Sequence, residues 1–284
     1  MIEININPVL FTIGGLEVRW YGVMMALGVF VLILWTMLQI RRGARLTYDT
    51  LLGAAVVGIP SGIVFSRLLH VIDQWSYYSQ HLNQIIGGEG LTIYGAILGA
   101  ALGIWVYSKF VKLDYMYFVD VITPGIILAQ VIGRVGCLIN GCCPGPATSL
   151  PWGIIYTDPR AFIPNDLRMV PTHPTVVYEI LFLLALFAVI MIFRSKFKPS
   201  GVQFMFYLGM YSLWRIGIGY LRVGTPFLFG LEQAQVIGII VAAICFPTII
   251  YRMRKMKSQT ASLDTEQGKS NDADKNKEAG DDSR

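Results

Sequence analysis

Charged residues are scarce in this chain. Asp, Glu, Lys and Arg make up 14% of its 284 residues, and 54% of the residues are hydrophobic. Soluble domains carry roughly 25% charged residues, so this composition excludes an ordinary soluble domain and indicates an integral membrane protein. The apolar runs are continuous and lack the alternation of barrel strands, so we expect helices to cross the membrane.

Two further features are missing. The first twenty residues have neither a basic n-region nor a long apolar h-region, and they contain Glu3 and Glu17. We therefore expect no signal peptide here, but a short polar or interfacial arm before the first helix. The sequence also shows no internal repeat, which predicts a single membrane domain, residues 1–257.

Apolar stretches of membrane-spanning length are what the chain does have. Each is close to the ~20 residues that a helix needs to cross the hydrocarbon core. They predict an all-α integral membrane protein with seven transmembrane helices. The stretches are 20–40, 51–72, 91–108, 118–139, 174–193, 203–221 and 234–251.

Basic residues predict the orientation, because Lys and Arg concentrate in cytoplasmic segments. Twelve of them follow the first, third, fifth and seventh stretches, all on one side of a seven-helix protein. This predicts an N-terminus outside and a C-terminus in the cytoplasm. The net charge of +5 is then mostly a topology signal and does not suggest nucleic-acid binding. The residues are Arg41, Arg42, Arg45, Lys109, Lys112, Arg194, Lys196, Lys198, Arg252, Arg254, Lys255 and Lys257.

The composition changes at Ser258. Residues 258–284 hold seven acidic side chains, a few lysines and no aromatic residue. Such a segment cannot bury enough apolar surface to fold alone. We therefore predict a disordered, polar cytoplasmic tail.

Arginines occur where an apolar segment makes them costly. Arg134 lies within the fourth stretch, and Arg67, Arg215 and Arg222 lie in or at the ends of others. A guanidinium cannot lose its proton, so charges at membrane depth usually serve a function. We expect an anionic substrate. Two alternatives stay open: Arg67 and Arg222 reach the headgroups, or Arg134 or Arg215 forms a structural pair with Glu179.

The predicted orientation brings polar side chains from six helices into the outer half of the membrane. Tyr21 and Tyr94 begin the first and third helices, and His173 precedes the fifth. On the sixth helix Tyr211, Arg215 and Arg222 are spaced by four and seven, so they share one stripe that should face the interior.

Three cysteines cluster after Arg134, at positions 137, 142 and 143, next to a proline-rich loop over about 140–172. Four interpretations remain open for Cys137, Cys142 and Cys143: a Cys137–Cys142 disulfide, a soft metal site, small residues packed in a tight turn, or a catalytic thiol. No nearby His or fourth Cys completes a tetrahedral set, so we predict no metal.

Several segments together resemble the bacterial prolipoprotein diacylglyceryl transferase family. The resemblance spans about residues 17–250, in order. The matching segments are GRVG at 133–136 with ING at 139–141 and LPWG at 150–153; RWYG at 19–22; SRL at 66–68; GLTIYG at 90–95; His173-Pro174 with Tyr178-Glu179; and Tyr211 with Arg215 and Arg222.

The resemblance implies a seven-helix enzyme of the bacterial cytoplasmic (inner) membrane that needs no cofactor. Its partners would be phosphatidylglycerol, from which it takes a diacylglyceryl group, and prolipoproteins, whose lipobox cysteine thiol receives it. Glycerol phosphate leaves and a thioether forms. By resemblance Arg134 binds the lipid phosphate. The other implied catalytic residues are Arg215, Tyr94, Tyr21, His173, Glu179 and Tyr211, and the implied substrate-binding residues are Arg67, Asn140, Gly141 and Arg222.

Three positions depart from the family pattern. Many members have His in place of Tyr94, and commonly Asn and Glu in place of Cys137 and Cys142. Tyrosine, with a reference pKa of about 10, is a poor base at neutral pH. The alternatives are therefore a divergent paralogue acting on another lipid or acceptor, or a transporter of small anions or lipids.

Overall fold

The computed structural model describes residues 1–85, 90, 92–222 and 227–281, without the side chains of Leu16 and of 260–281. The chain is mostly helical, and six helices in this part are long and apolar enough to cross a membrane. It is therefore an integral membrane protein by length and composition. These helices are α1 (Trp20–Arg41), α2 (Tyr48–Asp73), α4 (Ile93–Phe110), α5 (Tyr115–Asn140), α6 (Thr175–Ile192) and the first part of α8 (Gln233–Asp281).

The sixth apolar stretch also forms a helix, α7 (Val202–Gly219), but it is not among the six. Gln203, Ser212 and Arg215 together with three glycines make it less apolar than its neighbours. The short helix α3 (Trp75–Tyr78) follows α2 directly. The seven-span count and the orientation therefore stay predictions.

The prediction of an all-α chain is wrong in one respect, because two small sheets are present. β1 (Ile2–Ile4) pairs in parallel with β4 (Ile154–Tyr156), and β2 (Val9–Ile13) pairs antiparallel with β3 (Leu16–Arg19). Short runs of β-branched residues form these strands, and Gly14 and Gly15 supply the positive φ of the hairpin turn. The expected polar arm is thus a structured segment.

The last helix continues without a break through the acidic residues, as far as Asp281. Its apolar part is Gln233–Gln259. The separate disordered tail from Ser258 stays a prediction, and the acidic side chains in it, such as Asp264, lie outside the described side chains.

The chain divides into two compact units, residues 26–129 and residues 1–25 with 130–284. In the first unit α2 and α4 pack closely through small residues. Gly95 leaves no room for a Cβ next to the Phe65 carbonyl, and the Ser66 hydroxyl donates to the Thr92 carbonyl at 2.7 Å. Small residues allow such close approach of helices in a membrane.

The second unit holds α6, α7, α8, the end of α5 and a head made from the loop over 141–174. The head has its own apolar core, and Leu138 from α5 and Val177 from α6 pack against it. Core residues of the head are Ile154, Tyr156, Ala161, Ile163 and Leu167. Through Leu138 and Val177 the head packs on the ends of the helices that carry the polar side chains. Between α6 and α7 the rings of Phe182 and Trp214 stack, with their centroids 4.5 Å apart.

Candidate active site

An ion pair joins α5 and α6. The Nη2 atom of Arg134 lies 2.8 Å from Oε1 of Glu179, and the side chains are 17% and 2% exposed. The same carboxylate oxygen accepts a hydrogen bond from the Tyr211 hydroxyl of α7 at 2.7 Å. Nη2 also approaches that hydroxyl at 3.5 Å. Side chains from three helices thus meet at one carboxylate. This carboxylate balances the positive charge of the guanidinium and fixes its orientation.

The Arg134–Glu179 pair that the sequence left as a structural alternative is therefore present. It does not use the whole guanidinium. Among the described residues, Nη1 has one hydrogen-bond partner, the thiol of Cys137 at 3.8 Å, which is a weak acceptor. Arginine presents five N–H donors in a fixed fork, so donors remain for an anion.

A second polar contact joins α5 and α7, one helical turn away from Arg134 and Tyr211. The Tyr207 hydroxyl donates to Oε1 of Gln130 at 2.8 Å, and the rings of Tyr207 and Tyr211 lie 6.2 Å apart. Gln130 precedes Arg134 by four residues and Tyr207 precedes Tyr211 by four, so each pair shares a helix face. This contact was not predicted from the sequence, although the four-residue spacing could have indicated it.

Arg215 extends the stripe of Tyr211 along α7, as the spacing predicted. Its Nη1 atom is buried and has no hydrogen-bond partner within the described part of the chain. An unpaired donor on a buried guanidinium is costly unless a ligand or water satisfies it. Arg222 lies just beyond α7, where its backbone N–H donates to the Gly219 carbonyl at 3.3 Å.

The head places His173 next to the turn after α5. The Gly145 N–H donates to the His173 carbonyl at 3.1 Å, and the His173 N–H donates to the Pro146 carbonyl at 3.0 Å. An added Cβ on Gly145 would lie 2.6 Å from the His173 Cβ, so glycine permits this contact. The Nδ1 atom of His173 and the Oδ1 atom of Asn140 are buried without partners among the described residues.

Gly141 and Tyr21 lie near the end of α5, the helix that carries Arg134. Gly141 has φ +74°, which favours glycine, and an added Cβ would lie 3.2 Å from that of Ala161. Tyr21 is 38% exposed in the first turn of α1. This turn packs on α5 at Gly136, where an added Cβ would lie 3.3 Å from the Tyr21 Cα. The close contact at Gly136 thus brings Tyr21 to the end of α5.

A sequence model of prolipoprotein diacylglyceryl transferase matches residues 8–251. The chain belongs to this family. It is 51% identical to the phosphatidylglycerol–prolipoprotein diacylglyceryl transferase of Dehalococcoides mccartyi over 257 residues, which cover 90% of this chain and 98% of the relative. It is 36% identical to the Clostridioides difficile transferase over 238 residues, 82% of this chain and 90% of that one. The resemblance stated from the motifs is confirmed.

This member of the prolipoprotein diacylglyceryl transferase family keeps all four cysteines as free thiols. The Cys142 thiol donates to the Cys137 carbonyl at 3.6 Å. Hydrogen bonding with Cys137 and Cys143, together with burial, raises the pKa of Cys142. Within the described residues no group of three His, Cys, Asp or Glu side chains could hold a metal ion.

Two site residues predicted from the family motifs lie in the other compact unit. Arg67 donates to the backbone carbonyls of Ile85, Gln84 and Gly90, at 3.0, 2.5 and 3.1 Å. Arg67 therefore organises the segment after α3, and its substrate-binding role stays a prediction. Tyr94 is half-buried in the first turn of α4. Leu91, in the same motif, lies outside the described residues.

Proposed function

We propose that this chain transfers the diacylglyceryl group of phosphatidylglycerol to the lipobox cysteine thiol of prolipoproteins. A thioether forms and glycerol phosphate is released. Membership of the family and the names of its relatives support the reaction. The observation that carries the proposal is the state of two arginines: Glu179 and Tyr211 hold Arg134 in place, and the buried Nη1 of Arg215 has no hydrogen-bond partner within the described part of the chain.

The reaction needs these cations because it creates charge at a phosphate. The thiolate attacks the glyceryl carbon next to the phosphate ester oxygen, and the C–O bond breaks. The electron pair leaves with the phosphate, whose charge an arginine can neutralise through two parallel hydrogen bonds. In our proposal Arg134 binds the phosphate and Arg215 stabilises its developing charge.

The remaining predicted residues take supporting roles in this proposal. Glu179 and Tyr211 orient the guanidinium, and Tyr21 and Tyr94 position the reacting groups. His173, Asn140 and Gly141 shape the turn beside Arg134. Arg67 and Arg222 attract the anionic headgroup. All are proposals that rest on the family motifs and on the contacts described above.

We also propose seven transmembrane helices in a bacterial cytoplasmic membrane, with α7 as the additional span. In this arrangement the N-terminus is outside and the C-terminus is in the cytoplasm. The twelve clustered basic residues support this orientation. A site that faces outward suits prolipoproteins, which present their lipobox at the outer side after export.

The test uses purified protein, vesicles that contain phosphatidylglycerol, and a lipobox peptide with its cysteine. We expect the peptide mass to increase by one diacylglyceryl group and glycerol phosphate to appear in equal amount. A peptide with serine in place of cysteine, and vesicles of phosphatidylethanolamine alone, are the controls. An unmodified peptide with no glycerol phosphate would contradict the proposal. Glycerol phosphate without peptide modification would indicate another acceptor.

A further inference from the structure

The proposed transfer needs a group that accepts a proton. A thiol reacts as its thiolate, and a free cysteine has a pKa of about 8.5. Most of the substrate thiol is therefore protonated at neutral pH. A base beside the site would remove that proton as the sulfur attacks.

Glu179, the carboxylate of the site, is poorly placed for this task. It is 2% exposed, and one of its oxygens already serves both Arg134 and Tyr211. Protonation would remove the negative charge that balances a buried guanidinium, which is costly. The base should therefore be a different group.

Cys143 is a second candidate, and its backbone is fixed near the residues of the ion pair. It lies in the turn after α5 and has φ 65°, a backbone conformation that non-glycine residues rarely adopt. Its carbonyl accepts a hydrogen bond from the hydroxyl of Thr175 at 2.8 Å. Thr175 begins α6, the helix that carries Glu179. The backbone of Cys143 is therefore positioned by α5 and α6, the two helices that carry Arg134 and Glu179.

A small cavity lies against this residue. It has a volume of about 10 Å³, which is room for roughly one water molecule. Cys143, His173 and Thr175 line its polar part, and Leu138 and Val176 line its apolar part. His173 brings a second polar group, because its Nδ1 is buried without a partner among the described residues.

The surrounding charges favour the ionised form of this thiol. Hydrogen bonding with Cys142 and the positive charges of Arg222 and Arg134 lower the pKa of Cys143 below its usual value. Burial and the charge of Glu179 oppose the shift. An anionic lipid phosphate bound to the arginines would offset their effect and raise the pKa of Cys143 toward that of the substrate thiol. Proton transfer between the two sulfurs then becomes easier.

We propose that Cys143 is the base that accepts the proton of the substrate thiol. This rests on the proposed function. The substrate S–H bond breaks and its proton moves to Sγ of Cys143. The substrate sulfur uses its electron pair to form the C–S bond, while the C–O bond breaks toward the phosphate. Cys143 afterwards returns the proton to the departing glycerol phosphate or to water, so no oxidant or cofactor takes part.

The decisive experiment compares a lipobox peptide with cysteine and one with selenocysteine, on the wild-type protein and on Cys143→Ser. A selenol is already ionised at neutral pH and needs no base. We expect Cys143→Ser to lower kcat/KM for the thiol peptide by about 10²-fold, with transfer rising toward pH ~8.5 as the substrate ionises by itself. The selenol peptide should restore the variant to within about tenfold of wild type.

The control is Cys245→Ala, which removes the isolated thiol of α8 and should keep wild-type rates on both peptides. Equal loss on both peptides for Cys143→Ser would indicate a structural role and overturn the proposal. Selenol rescue of His173→Asn, without rescue of Cys143→Ser, would assign the base to His173 instead. If the wild-type protein modifies neither peptide, the proposed function fails, and the base role with it. A fully active Cys143→Ser overturns only the base role.

A second measurement does not depend on activity or on a variant. Mass spectrometry follows the alkylation of Cys143 by iodoacetamide in the wild-type protein between pH 6 and pH 8. An ionised thiol should react at nearly the same rate throughout this range. A rise of about tenfold per pH unit would show that the thiol is protonated and contradict the proposal.

Discussion

At the scale of single residues, the Arg134–Glu179 pair sets the electrostatics of the site. Both charges are largely removed from water, and Tyr211 supplies a further hydrogen bond to the carboxylate. A buried pair of this kind tolerates the loss of one partner poorly, because the other charge then remains uncompensated. The two members can therefore be tested separately, one for activity and one for stability.

We expect Arg134→Lys to lower kcat/KM by about 10²-fold or more, while the protein still folds. Lysine keeps the positive charge near Glu179 but loses the planar fork that grips two phosphate oxygens. Transfer is measured by peptide mass and folding by thermal unfolding in detergent. The matched control is Arg160→Lys, at an exposed position of the head. Near-normal turnover of Arg134→Lys would contradict a bidentate phosphate role.

Glu179→Gln should lower the free energy of unfolding, by an amount near the lower end of ~3–5 kcal/mol because Arg134 keeps some exposure. The glutamine side chain can still accept the hydrogen bond from Tyr211. The decrease in the free energy of unfolding therefore measures the effect of removing the negative charge. The same change at Glu17, whose pair with Arg19 is 3.0 Å long and exposed, should cost only ~0–1 kcal/mol. Equal melting temperatures for both variants would disprove a stabilising role of the buried pair.

At the scale of elements, the turn after α5 joins the head to the membrane helices. Gly141 and Gly145 allow the backbone to pass beside Ala161 and His173 with no side chain between them. The contact at Gly145 is against the backbone and Cβ of His173, neither of which can move aside as a flexible side chain could. Space at this turn therefore determines where His173 and Cys143 lie.

We expect Gly145→Ala to destabilise the protein by ~1–3 kcal/mol through overpacking and to reduce transfer. The control is Gly217→Ala on α7, where an added Cβ meets nothing within 4 Å. Alanine there should be neutral or stabilising by up to ~1 kcal/mol because it favours helix. Thermal unfolding and the transfer assay measure both variants. A Gly145→Ala protein as stable and active as wild type would show that the turn can relax.

At the scale of the whole molecule, the proposed orientation puts the head outside and the end of α8 in the cytoplasm. Ser149 and Ser258 are both exposed, and they are predicted on opposite sides. In a background without native cysteines, Ser149→Cys should react with an impermeant reagent added to intact cells. Ser258→Cys should react only after the membrane is opened. The reverse pattern would contradict the orientation.

The sequence was sufficient for the broad class of this protein. Low charge and long apolar runs predict membrane helices because the cost of leaving backbone polar groups unpaired in lipid allows few alternatives. The helix limits agree within a few residues, for example 118–139 against Tyr115–Asn140, except at the end of α8, which continues to Asp281. The strands were missed, since three to five residues carry too little periodicity to be distinguished from an irregular arm.

Several residues of the candidate site could be selected from the sequence. An arginine in an apolar segment has few roles, so Arg134 and Arg215 could be selected without a structure. The pairing of Arg134 with Glu179 could be named as an alternative only, because sequence spacing does not define contacts between helices. The Gln130–Tyr207 contact and the left-handed backbone of Cys143 were not predicted.

The sequence by itself determined that this chain enters a membrane, where its helices lie and to which family it belongs. These properties depend on local composition and on motifs in order along the chain. Only the tertiary structure decided that one carboxylate serves Arg134 and Tyr211 together. It also decided that Arg67 binds backbone carbonyls and that Cys143 lines a cavity with His173. Such contacts join residues distant in the chain, so they depend on how the helices and the head pack.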